Sequence, residues 1–210
     1  YMIVGEDEAR VQAVDLATGD VAQVYDFGLD LSYDRENQGD CWLLLTGDRL
    51  VLANQSGIAC VDKNDGQLMW RNPTPSNQRY HYPALAESAG LVVVAQGVAD
   101  RHPNYGRVVH SWTESIIAFD MENGEERWQA TEGMPRFLSR LIIRDDRLLL
   151  FGAANFSGFK DDGPDGEGRY FIAGFDVTDG RALWHHTRQL WREHLRESVS
   201  LRSCYFRSDG

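Results

Sequence analysis

An all-β chain folded as a β-propeller of four-stranded antiparallel blades is what the sequence predicts, and three observations predict it. A short pattern recurs four times in 210 residues. Each copy alternates apolar residues and breaks at an Asp-x-x-x-Gly turn, and a second hairpin signal precedes three of the copies. Two hairpins per unit, repeated every several tens of residues, are the signature of propeller blades.

The pattern is apolar-Ala-x-x-Asp or close to it, then three residues, Gly, and an aromatic four residues further on. Its copies are Val11 to Asp15 with Gly19; Ile58 to Asp62 with Gly66 and Trp70; Ile117 to Asp120 with Gly124 and Trp128; and Ile172 to Asp176 with Gly180 and Trp184. The first copy has Gln23 where the others have Trp. Gly supplies the positive φ that a tight hairpin needs, and Asp can cap the turn through its own backbone. The upstream hairpins are Leu43 to Ala53, Pro83 to Val94 and Leu141 to Phe151.

With strands A to D numbered from the axis outward, the single 1–210 domain or arc divides into four blade equivalents. Blade one covers about 1–28, with its strand A expected from 199–207. Blades two, three and four cover about 41–71, 82–130 and 137–186. The Asp-to-Asp spacings are 47, 58 and 56 residues, and running from Asp176 through the C-terminus to Asp15 gives 49. The termini thus resemble the halves of one A-B hairpin. Either they close a four-bladed ring, or the chain is an arc of a larger one. Because an open arc exposes unpaired strand edges, closure is expected by the termini, by missing blades or by self-association.

These residues resemble the quinoprotein-type (PQQ-like) propeller repeat, whose consensus is close to Ala-x-Asp-x-x-x-Gly-x-x-x-Trp. The resemblance implies structural roles: Trp70, Trp128 and Trp184 dock each blade on its neighbour, and Asp62, Asp120, Asp176, Gly66, Gly124 and Gly180 shape the turns. Its members include quinone-dependent alcohol and glucose dehydrogenases, an outer-membrane-assembly lipoprotein propeller, and non-catalytic sensors and scaffolds. The compartment is not legible, although the resemblance leans toward an extracytoplasmic one. The chain opens on Tyr1 with no leader pattern, as expected if a signal peptide has been removed or the chain is part of something longer.

Composition narrows the partners. A net charge of −11 with no basic cluster disfavours nucleic acid and anionic lipid, and no apolar run approaches the roughly 20 residues of a membrane helix. Cys41, Cys60 and Cys204 are widely spaced and odd in number, fitting buried thiols rather than a disulfide framework or zinc site.

Tight A-B and C-D turns on one face contrast with long connections on the other: Asp26 to Asp40, Arg71 to Tyr82, Gln96 to Ser115, Asn155 to Arg169 and His185 to Ser198. Long loops on a rigid scaffold are where binding concentrates. Arg79, Tyr80, His81, Arg136 and Ser139 enter the innermost strands there and form the candidate binding face for a protein or peptide. The alternative is that the aromatics are core and the arginines solvated.

Asp161, Asp162, Asp165 and Glu167 suggest calcium, but their spacing does not match an EF-hand loop. His185 and His186 point to opposite faces of a strand and cannot both ligate easily. With His194 they make a weak metal candidate. Gln189 to Glu197 has helical spacing.

The expected function is a non-catalytic scaffold or sensor with no catalytic, cofactor or metal residues. The alternatives are a fragment of a quinone-dependent dehydrogenase, which would require PQQ with calcium, and a cell-envelope assembly scaffold. Catalytic relatives carry a vicinal Cys-Cys pair and a Glu/Asn/Asp calcium cluster; no two cysteines are adjacent here.

Overall fold

A computed structural model describes residues 2–4, 10–30, 41–101, 108–135, 137–155 and 169–189. The expected strand A at 199–207, the Gln189 to Glu197 helix beyond Gln189, Arg136, the acidic residues 161–167, His194 and Cys204 lie outside the described residues.

The architecture is all-β. Blade one contributes β1 (Met2–Val4), β2 (Arg10–Val14) and β3 (Val21–Tyr25), and these form a three-stranded sheet in that order. Blade two is β4 (Trp42–Thr46), β5 (Arg49–Ala53), β6 (Gly57–Asp62) and β7 (Leu68–Pro73). Blade three is β8 (Gln78–Ala86), β9 (Leu91–Arg101), β10 (Val108–Asp120) and β11 (Glu126–Ala130). Blade four is β12 (Phe137–Arg144), β13 (Arg147–Asn155), β14 (Arg169–Asp176) and β15 (Ala182–Gln189). Each four-stranded sheet runs in sequence order with antiparallel neighbours, so every blade is a meander. The first strands of successive blades lie side by side, β8 against both β4 and β12, which sets them at the axis.

The turns form for local reasons. In all four copies the Gly amide donates to the Asp carbonyl, at 2.8 to 3.0 Å, and Gly19, Gly66, Gly124 and Gly180 have φ between 72° and 79°. The Asp Oδ1 accepts the amide two residues on, as in Asp120 from Glu122 at 2.7 Å and Asp176 from Thr178 at 3.0 Å. The Thr178 hydroxyl adds a bond of 2.7 Å, and these bonds hold the Asp176 carboxyl below its usual range. Strand alternation then sends alternate residues of blades two and three into two different inter-blade cores. One core joins blades one and two around Val11, Phe27, Leu50 and Val61; a second joins two and three around Val51, Ile58, Val94 and Phe119; a third joins three and four around Val93, Ile116, Leu148 and Phe175.

Three expectations need correction. The Gln96 to Ser115 connection is not a loop from end to end, because pairing continues from Gln96↔Ser115 to Arg101↔Val108; blade four pairs as far as Asn155↔Arg169, and residues 156–168 lie outside the described residues. Pairing satisfies main-chain groups that a long loop would leave to water, so the insertion in blade three lengthens its hairpin. Likewise β15 runs through His185 to Gln189 against β14. Finally, Cys60 is a buried core thiol pushed up to about 11 by desolvation, whereas Cys41 is exposed.

Candidate binding site at the axial end of blade three

β8 carries the candidate site, and its geometry follows from one irregularity. Alternation along β8 turns Tyr80 toward blade two, where it is buried against Phe119 with ring centroids 5.9 Å apart. Desolvation pushes its phenol up to about 12. The same alternation sends Arg79 and His81 to the opposite side of the sheet. The ladder then skips from His81↔Ala95 to Ala84↔Val93. Tyr82 sits in this gap with φ 51°, a left-handed conformation, followed by Pro83, which has no N–H to donate. For a bulky residue that conformation costs about 1–2 kcal/mol, and such strain gathers at functional sites. The bulge swings the Tyr82 ring toward the axis, 5.5 Å from Trp42 of β4 and edge-on to His81 at 5.3 Å.

Tyr80 and His81, expected on an exposed face, are 4% and 3% accessible. The correction has a physical cause: the neighbouring blades cover both sides of β8. Trp42, Gln78, Arg79 and Tyr82 stay partly accessible, as does Ser139 on the neighbouring β12, where Arg140 is exposed. Burial of His81, reinforced by the positive charge of Arg79, holds its imidazole down to about 3, so it is neutral at ordinary pH. Its Nδ1 and the Thr113 Oγ1 are buried with no hydrogen-bond partner among the described residues. Register places Thr113 opposite Gly97, and Gly97 opposite Arg79, in one cross-strand row. On the other side of the sheet a satisfied network closes the core: Ser115 Oγ donates to Gln96 Oε1 at 2.9 Å, and Gln129 Nε2 donates to Ser115 Oγ at 3.0 Å. Gln78 Nε2 donates to Glu114 Oε2 at 3.0 Å. Sequence reasoning missed Trp42, Thr113 and this network; the break of alternation at Tyr82-Pro83 was the available signal.

The docking residues sit at the blade junctions. Trp70 Nε1 donates to Met121 O at 3.0 Å, and its ring covers Gly124, where a Cβ would lie 2.7 Å from the indole. Trp128 repeats this on the next blade, donating to Val177 O at 2.9 Å and covering Gly180. Gln23 covers Gly66 in the copy that lacks Trp, and the Tyr25 hydroxyl takes over the indole's role, donating to Lys63 O at 2.8 Å. Trp184 lies against Gly174 of its own sheet and is 42% exposed. His185 stacks on Phe171 and His186 packs beside Trp184, so the two rings diverge.

A family model described as the outer membrane protein assembly factor BamB, built on PQQ-like repeats, matches residues 54–203. The chain belongs to this PQQ-like propeller family. One solved structure agrees on the fold of the PQQ-like chain. A europium-containing methanol dehydrogenase superposes with a TM-score of 0.57 at 13% identity, over 84% of this chain and 38% of that one. A quinohemoprotein alcohol dehydrogenase from Pseudomonas putida HK5 matches at a TM-score of 0.49 and 15% identity, over 76% of this chain and 22% of that one. The PQQ-like chain therefore spans well under half the length of either. No curated protein matches.

Among the described residues no three His, Cys, Asp or Glu side chains converge as a cation would require; Cys41 precedes β4 and Cys60 lies on β6. Among those residues no helix is long and apolar enough to cross a membrane.

Proposed function

We propose that this PQQ-like propeller unit is a non-catalytic binding module, and that a protein or peptide segment docks at the axial end of blade three. The observation that carries the reading is the strained Tyr82 beside Trp42, with the unpartnered His81 Nδ1 and Thr113 Oγ1 at the same end of the blade. Buried polar atoms without partners call for an explanation, and a bound main chain can supply both donors and acceptors. Aromatic rings beside Arg79 and Arg140 have the composition of an interface core. The resemblance to an assembly factor supports a protein partner, and an extended segment would suit it.

The test is a panel of defined extended peptides titrated onto the chain, with Trp42→Ala and Arg140→Ala as variants. Binding weakened at least tenfold by both, with melting nearly unchanged for Arg140→Ala, supports the site. Equal binding by the variants removes it. The dehydrogenase reading has its own readout: the chain incubated with pyrroloquinoline quinone and calcium, then dialysed. Retained quinone absorbance and reduction of a dye by an alcohol would replace the binding module with an enzyme.

A further inference from the structure

The two Trp-bearing junctions define what a blade face requires, and blade four offers such a face with nothing upon it among the described residues. Toward blade three, blade two presents Val51, Ile58, Cys60 and Trp70, all buried. Counting from the turn Asp gives Ile172, Gly174 and Trp184 as the equivalent positions in blade four, and Leu149, paired with Gly174 as Val51 is with Cys60, completes the set. Ile172 is 38% and Trp184 42% exposed, and a shallow groove of about 320 Å³ opens between Arg147, Leu149, Gly174, Leu183 and Trp184. Arg49 shows how the rim works: its guanidinium donates to Met121 O at 2.9 Å and pairs with Glu122 at 2.6 Å on the following blade's turn. Arg147 is the equivalent residue, and its side chain is 54% exposed.

The chain also carries one turn of the kind that fills such a face. At the two junctions the residue after the turn Asp gives its carbonyl to the indole and is itself buried, as Met121 and Val177 are. Leu16 is that residue in blade one, and it is 99% exposed. Gly19 has nothing within 4 Å of where a Cβ would stand, unlike Gly124 and Gly180. Asp20 beside it offers an acidic group to the Arg147 rim.

We propose that the open face of blade four receives the Asp15–Gly19 turn of a second copy of this chain. Trp184 covers Gly19 and donates to the Leu16 carbonyl, and Arg147 reaches the same turn. Two copies joined reciprocally make two such junctions and close a two-fold ring, which leaves neither sheet face bare.

Sedimentation of the 210-residue chain over a wide concentration range tests this, with Trp184→Ala and Leu16→Asp as variants. Both side chains are exposed in the single copy, so both variants keep the wild-type circular dichroism. The expected mass is twice 23.8 kDa, with the dissociation constant raised at least tenfold by either variant. Mixing the two variants recovers association, because the mixed pair keeps one intact junction. Three results overturn the proposal: a dimer indifferent to both variants; a monomer whose Trp184 is shielded from a quencher until Leu16 is replaced, which would mean closure within one chain; and a monomer with Trp184 open to quencher, which would assign the face to a blade outside this sequence.

Discussion

Trp128 and Trp184 occupy the same place in the same repeat, yet their surroundings differ almost completely. Trp128 is 9% exposed and hydrogen-bonded to the next blade, whereas Trp184 is 42% exposed and lies on its own sheet. The motif therefore specifies half of a junction, and the following blade's turn supplies the other half. The largest expected effect separates the two directly. Trp128→Ala should cost about 3–5 kcal/mol through lost burial, and Trp184→Ala less than about 1 kcal/mol at concentrations where the chain is monomeric. Chemical denaturation measures both, and equal losses would mean that the indole's worth lies within its own blade.

His81 sharpens the contrast between the crowded axis and the open face. Its imidazole is held down to about 3 when folded and has an ordinary value of 6.5 when unfolded. The unfolded chain therefore binds the extra proton between these limits. The stabilisation is complete above pH 6.5 and declines as pH falls toward 3, by about 1.4 kcal/mol per pH unit. Unfolding measured at pH 7 and pH 5 should show a loss that His81→Gln abolishes; an unchanged slope in the variant would assign the loss to other groups.

The glycines divide the same way. Gly180→Ala forces a side chain into the Trp128 ring at φ 72°, and should cost about 2 kcal/mol or more. Gly19→Ala meets only the backbone penalty, about 1 kcal/mol, because its surroundings are empty. Should the two variants melt alike, ring contact contributes nothing beyond φ.

Much of this was legible because it is local. An Asp that caps its own turn and a Gly at positive φ are properties of five consecutive residues, so Asp62 to Gly66 could be read without knowing what lies nearby. The docking of Trp70 on Gly124 was also readable, since it recurs at a fixed offset. What escaped depends on neighbours or on a broken pattern. Tyr25 stands in for a missing indole two residues past the motif position, and only the fold shows that its hydroxyl reaches Lys63 O. The insertion in blade three looks like a loop in composition yet continues the ladder. Burial of Tyr80 and His81 comes from the flanking sheets, which no property of β8 reveals.

The smallest effect tests whether the rim arginines follow the same rule. Arg49 is 14% exposed in its side chain and bridges two blades, bonding a main-chain carbonyl and Glu122 together. Arg49→Ala should cost about 1–2 kcal/mol, since a covered charged hydrogen bond contributes more than a surface pair. Among the described residues Arg147 meets no following blade and approaches Asp176, at 3.7 Å and with its side chain more than half exposed. Solvent screening leaves Arg147→Ala below about 0.5 kcal/mol in the single copy. Adding Glu122→Gln to each variant distinguishes the cases: it should be nearly silent on the Arg49→Ala background and keep its full, small cost on Arg147→Ala. Additive losses with Arg49→Ala would show that the arginine stabilises through its own packing rather than through the turn of the next blade.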